Sequence, residues 1–172
     1  YLNMKDNIIR LVELNDIENV VDVINIAYRT NQGWTHEFNV VAGDRISSKQ
    51  LKIELQKENF KLFVLEADGQ ILGCIGLTED VDSIEIGSFA ILPMHQNSGY
   101  GKKLLNFAEV FAKQKQHIVR LNMSVLNVRK ELLAYYARHG YHDTHKTESY
   151  PLDANVGQPL INLHLVLLSK QI

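Results

Sequence analysis

The sequence predicts a mixed α/β fold, with one mixed sheet of about seven strands and helices on both of its faces. Two observations carry this. Strand-like runs in the first half are joined by Asp68-Gly69, a strong hairpin turn signal, and the second half alternates strand with helix. The composition agrees: of 172 residues, 45% are hydrophobic and 22% charged, enough apolar material for a core without disulfides or a structural metal.

The elements follow in order. Asn7 to Leu14 reads as a strand. Asn15 and Glu18 have capping-box spacing, and Ile17, Val20, Val21, Ile24 and Tyr28 recur at helical intervals. Thr30 to Arg45 is polar and reads as a loop. Ser47 with Gln50 repeats the capping-box spacing before a short helix marked by Leu51 and Leu55. Lys61–Ala67 and Gln70–Leu77 form the hairpin, and Gly73 and Gly76 weaken its second strand or invite a bulge. Ser83–Leu92 is a strand stopped by Pro93. Gly99–Gln116 is the clearest helix, with Leu104, Leu105, Ala108, Phe111 and Ala112 on one face. Ile118–Val125 is a strand. Arg129–His139 is a helix with Leu132, Leu133, Tyr136 and Ala137 inward, ended by Gly140. Tyr141–Tyr150 and Ile161–Leu168 close the chain. The order is β-α-α-β-β-β-α-β-α-β-β, with no repeat or interdomain linker, so residues 1–172 are read as one domain.

A formal charge of −2 leaves no net basic field for a nucleic acid or an anionic membrane. The lone Cys74 excludes an internal disulfide, and it reads as a small buried hydrophobe. No apolar run reaches membrane-span length, and the first residues lack a secretory pattern. A reducing, cytoplasmic setting is expected, with Met4 as the native start after Tyr1–Asn3. A homodimer is compatible with such a chain.

The most informative stretch runs from Glu85 to Gly101, where a strand passes through a glycine-containing loop into the strongest helix. A helix start exposes unpaired N–H groups and the positive end of the dipole, so it suits phosphate. Gly99 and Gly101 allow close backbone approach, and Lys102 and Lys103 add charge. A Walker loop fails, because Gln96 stands at its first glycine and Lys103 at its Ser/Thr. A dinucleotide fingerprint fails at Leu104. Gln96, Gly99 and Gly101 do satisfy Gln/Arg-x-x-Gly-x-Gly/Ala. Downstream, Tyr136-Ala-Arg-His-Gly140-Tyr141 has the form Tyr-x-x-x-Gly-aromatic.

With these motifs and this element order, the chain resembles the GNAT superfamily of acetyl-CoA-dependent N-acetyltransferases, over nearly its whole length. The resemblance implies a central, mostly antiparallel sheet and acetyl-CoA as acetyl donor. It implies that Gln96, Asn97, Ser98, Gly99, Tyr100, Gly101 and Lys102 hold the pyrophosphate. It also implies that the strand through Phe89, Ala90 and Ile91 splays from the one starting at Ile118 and pairs with the pantetheine arm. The family often places Asn seven residues before the tyrosine; Arg129 stands there, so Asn127 and Arg129 are the candidates for that contact.

Acetyl transfer to an amine needs a placed donor, a deprotonated amine, a stabilised oxyanion and a proton for the leaving thiolate. Tyr136 is the candidate acid and the Phe89 N–H the candidate oxyanion donor. Glu85 is the candidate base, expected by strand alternation on the face of Phe89 and Ile91, and Glu37 is a second carboxylate option. The acceptor, a primary amine of a small molecule, amino acid or peptide, is expected under the loop Thr30–Arg45. There Trp34 offers an apolar face, Glu37 a partner for an ammonium and Arg45 one for a carboxylate. The structural alternative has Trp34 anchoring the loop and Glu37 paired with Arg45. His139, His142 and His145 straddle Gly140 and would point to different faces, so no metal is expected. The alternative function is a coenzyme A-binding or interaction domain without catalysis, or transfer of another acyl group.

Overall fold

The computed structural model describes residues 6–172, so the expected start at Met4 lies outside the described residues. A seven-stranded sheet forms the centre. Its strands are β1 (Asn7–Leu11), β3 (Phe60–Ala67), β4 (Gln70–Glu79), β5 (Ser83–Ile91), β6 (Arg120–Leu126), β7 (His142–Ser149) and β9 (His164–Gln171). They lie in the order β1-β3-β4-β5-β6-β9-β7, and only β5 and β6 run parallel. Helices α1 (Ile17–Arg29) and α2 (Ser48–Leu55) cover one face, and α3 (Tyr100–Lys113) and α4 (Lys130–Arg138) the other. Because both faces are covered, β3 is apolar almost without interruption: Leu62 and Val64 pack under α1, while Phe63 and Leu65 pack under α3.

Local chemistry accounts for most boundaries. Asp68 and Gly69 both take positive φ (52° and 74°), as a two-residue hairpin of the right twist requires. Ser47 and Gln50 cap α2 reciprocally, and Gly140 ends α4 at φ 90°. Other expectations shift. The capping box before α1 is Glu13 with Asp16, two residues earlier than Asn15 with Glu18, because a 3₁₀ turn over Leu14–Asp16 precedes the helix. Ala137 is exposed rather than inward. The polar loop contains β2 (Val41–Ala42), which pairs with β8 (Gln158–Pro159) in the link before β9. Two residues per strand carry no periodicity, so this small sheet left no pattern to read.

The decisive irregularity is in β5. Its ladder with β4 runs through Gly76↔Gly87 and resumes at Cys74↔Ala90, leaving Ser88 and Phe89 opposite Ile75 alone. Ser88 takes φ 46°, and its carbonyl accepts from Cys74 Sγ at 3.2 Å. The bulge inverts the alternation: Ile84 and Ile86 join the same cluster as Phe89 and Ile91. Glu85 therefore lies on the face opposite Phe89 and Ile91, which corrects the sequence expectation. On the other side, β5 pairs with β6 only from Ser83↔Arg120 to Ile86↔Met123, and both strands then continue without each other.

Candidate active site

That divergence opens two cavities that meet at its apex. The first, about 490 Å³, extends from the divergence to the start of α3, and the second, about 360 Å³, lies toward β6 and the loop after α1. Tyr28, Phe89, Arg129, Leu132 and Tyr136 line both, so they form the partition.

Gly99 is the N-cap of α3 in left-handed backbone (φ 80°), with no side chain capping the helix. A Cβ on Gly99 would enter open space, whereas one on Gly101 would come within 3.1 Å of Tyr135 Oη and 3.5 Å of Phe89 Cζ. Asn97, at φ 63°, continues the turn. The first cavity therefore ends on uncapped N–H groups at a positive helix terminus, beside Lys102 and Arg138. This donor set fits a phosphate-bearing ligand, and Ala90 and Ile91 line the path from it to the partition. Lys103 instead turns away and donates to Asn7 Oδ1. Ser98 is not among the lining residues, and neither is Asn127, whose Oδ1 accepts from the His164 N–H at 3.0 Å and so ties β6 to β9.

Gln96 joins the two loops. Its Oε1 accepts from the Trp34 N–H at 3.1 Å and its Nε2 donates to the Ile91 carbonyl at 3.1 Å. Trp34, 43% exposed, tilts against Tyr135 at 5.9 Å. Trp34 thus borders the first cavity, not the acceptor end where it was expected.

Glu37 is buried between two arginines: Arg29 Nε meets Oε1 at 3.1 Å and Arg129 Nη1 meets Oε2 at 3.2 Å. Arg129 also bonds Thr35 Oγ1, which donates to Glu131 Oε1 at 2.6 Å. The expected alternative pair of Glu37 with Arg45 does not form. Arg45 stacks instead on Tyr28, its Cζ 5.6 Å from the ring centroid. Arg29 went unread because a basic residue in the last helical turn is the ordinary complement to the dipole.

Tyr136 is 6% exposed, and its hydroxyl, which makes no hydrogen bond among the described residues, is open to the cavities it lines rather than sealed in the core. Burial pushes its phenol well above the ordinary value, so it stays protonated at neutral pH. Its ring lies 6.3 Å from that of Phe89. Tyr135 borders only the first cavity, while Tyr136 reaches both. Glu85 lines the second cavity; burial first, then the charges of Glu148 and Asp80, raise its carboxyl above the usual range. Among the described residues no group of three His, Cys, Asp or Glu side chains is arranged to hold a metal, and no helix is long and apolar enough to cross a membrane.

The family model described as Acetyltransferase (GNAT) family matches residues 22–141, more than half of the chain. The chain belongs to the GNAT acetyltransferase family. Its members are enzymes, and the matched region contains both cavities' partition and the Gln96–Gly101 loop. Among solved structures, the PaiA N-acetyltransferase of Thermoplasma acidophilum in complex with coenzyme A is similar, with a TM-score of 0.75 at 17% identity, over 97% of this chain and 99% of that one. The ribosomal-protein-S18-alanine N-acetyltransferase of Escherichia coli has a TM-score of 0.72 at 18% identity, over 97% and 94%. A GNAT family acetyltransferase of Elizabethkingia anophelis with acetyl-CoA bound has a TM-score of 0.67 at 19% identity, over 96% and 98%. At these identities the likeness is one of fold. A sequence comparison with curated proteins returns no match.

Proposed function

We propose that this GNAT protein moves an acetyl group from acetyl-CoA to a primary amine by direct attack. The observation that carries the reading is the pair of cavities meeting at Tyr136 and Phe89, with an anion-binding helix start closing the far end of one. The donor belongs in the first cavity. Gln96, Asn97, Gly99, Tyr100, Gly101 and Lys102 hold its pyrophosphate at the α3 N–H groups, and the backbone of Phe89, Ala90 and Ile91 lies along its arm. The donor supplies a thioester. Glu85, in the second cavity, takes the proton from the acceptor's ammonium, directly or through water, and frees its lone pair. The Phe89 N–H, at the bulge where β5 has no partner, holds the negative charge that builds on the carbonyl oxygen. As the C–S bond breaks, Tyr136 gives its proton to the leaving thiolate, whose basicity is comparable to that of a phenol.

The test pairs two measurements on the purified protein. Calorimetry with coenzyme A is expected to show binding, and incubation with acetyl-CoA and a panel of amines, amino acids and peptides is expected to release free thiol only when an acceptor is present. Coenzyme A binding without thiol release for any amine would leave a binding domain on the same fold.

A further inference from the structure

The second cavity is electrically divided. At one end stand Arg29, Arg129 and Arg45, with Glu37 the carboxylate between the first two. Each oxygen of Glu37 accepts from one arginine, Oε1 from Arg29 and Oε2 from Arg129, so its charge is already matched within the protein. Arg45 is the opposite case. Its backbone is clamped, because Asn25 Oδ1 accepts from the N–H groups of Arg45 at 2.8 Å and Ile46 at 3.1 Å, and Asn25 Nδ2 donates to the Ile46 carbonyl at 2.9 Å. Its head rests on the Tyr28 ring. Among the described residues its guanidinium makes no ion pair and no hydrogen bond. It is a positioned cation with all its donors unspent, next to a cluster that already carries excess positive charge.

At the other end, Glu85 on β5 and Glu148 on β7 line the same cavity. Neither makes an ion pair or a side-chain hydrogen bond among the described residues, and Glu148 is close enough to disfavour the charge of Glu85. A cation bound between two carboxylates of one cavity relieves their repulsion. The buried Tyr136 lines this cavity as well, and its hydroxyl makes no hydrogen bond among the described residues.

We infer that the acceptor is a zwitterion, a free amino acid or another small aminocarboxylate, whose carboxylate is held by Arg45 and whose ammonium sits between Glu85 and Glu148. The inference rests on the acetyl-transfer reading for the identity of the reacting amine, but not for the binding of the ligand. A planar carboxylate matches the fork of a guanidinium bidentately, and an ammonium suits two carboxylates. A cavity of about 360 Å³ is at the small end for ligands and takes a molecule of amino-acid size. A diamine would satisfy Glu85 and Glu148 but would put its second charge against Arg45. A carboxamide would leave Arg45 unpaired.

The test sets each L-amino acid with a primary amine against its own carboxamide, with 1,4-diaminobutane as the dication. Thiol release from acetyl-CoA is the kinetic readout, and calorimetry into coenzyme A-saturated protein is the binding readout. For the preferred amino acid, kcat/KM is expected to exceed that of its carboxamide by roughly tenfold or more, the worth of one charge-assisted pair. The carboxamide's amine is the more easily deprotonated, so intrinsic reactivity works against this result. Arg45→Gln is expected to bring the ratio close to one, and Arg45→Lys to keep part of it. The inference is overturned if carboxamides or the diamine are used as well as the amino acids, with acetyl transfer then still standing. It is equally overturned if no amino acid binds. Arg45-dependent binding of an amino acid without thiol release for any amine would uphold the zwitterion site and remove the transfer reading instead.

Discussion

Tyr136 is a buried residue whose hydroxyl makes no hydrogen bond among the described residues and opens onto the cavities instead, and its surroundings hold it protonated. Tyr136→Phe removes the proton and little packing. It is expected to lower kcat about a hundredfold, the usual scale for a general acid, with coenzyme A affinity by calorimetry unchanged. Normal turnover would make Tyr136 a core residue. Glu85 makes a prediction about pH. A base must be deprotonated, and burial together with Glu148 and Asp80 raises its carboxyl in the folded protein. The acid limb of kcat/KM is therefore expected above the ordinary glutamate value of about 4.3, with activity lost as pH falls through it. Glu148→Gln removes one like charge and is expected to move that limb to lower pH. Glu85→Gln is expected to abolish it along with most of the turnover. A limb that ignores Glu148 would place the base elsewhere.

Among the elements, α3 shows how one residue serves both a fold and a site. Gly99 sits in left-handed backbone, which costs any other L-residue about 1 kcal/mol, and the space beyond its Cα is open. Gly99→Ala and Gly99→Glu share that strain, so their melting temperatures are expected to fall together. Only Gly99→Glu adds a carboxylate at the helix start, and it alone is expected to abolish coenzyme A binding by calorimetry. The same helix was legible at once in the sequence, since Leu104, Leu105, Ala108 and Ala112 recur at its period and all are buried. The bulge in β5 was not. Gly73 and Gly76 signalled trouble on β4, but the extra residue lies across the ladder at Ser88, an ordinary polar residue at an unusual φ. Period-two reasoning carried through that point put Glu85 on the wrong face.

For the molecule as a whole, Arg29 closes one end of the second cavity. Its Nε meets Glu37, its Nη1 donates to the Gly43 carbonyl at 2.8 Å and its Nη2 to the Val156 carbonyl at 2.5 Å. A side chain at Gly157, which takes φ 104°, would collide with this guanidinium. One arginine thus ties the end of α1, the loop after it and the link before β9, beside the β2–β8 pair. Arg29→Ala leaves Glu37 buried with a single partner and is expected to cost about 3–5 kcal/mol in denaturant unfolding. Because Arg29 does not line the first cavity, coenzyme A affinity is expected to persist in the variant while the acceptor KM rises. Loss of both together would mean that the two cavities do not open independently.

Periodicity and turn chemistry are local, and they sufficed for the α/β order, the hairpin at Asp68-Gly69, both faces of the sheet and the glycine-marked helix start. Motif spacing is also local, and Gln96, Gly99, Gly101 and Tyr136 could be singled out before any coordinate was known. The partners of Glu37 could not. Arg29 and Arg129 are 8 and 92 residues away from it, and arginines alike in sequence differ only in where the backbone delivers them. Which arginine remained unspent was decided by Asn25 and Tyr28 holding Arg45 aside, an outcome of packing between α1 and its loop. The face of Glu85 was decided likewise, by an inserted residue whose carbonyl found the Cys74 thiol. Side-chain pairing and strand register depend on distances in space, and a sequence records only distances along the chain.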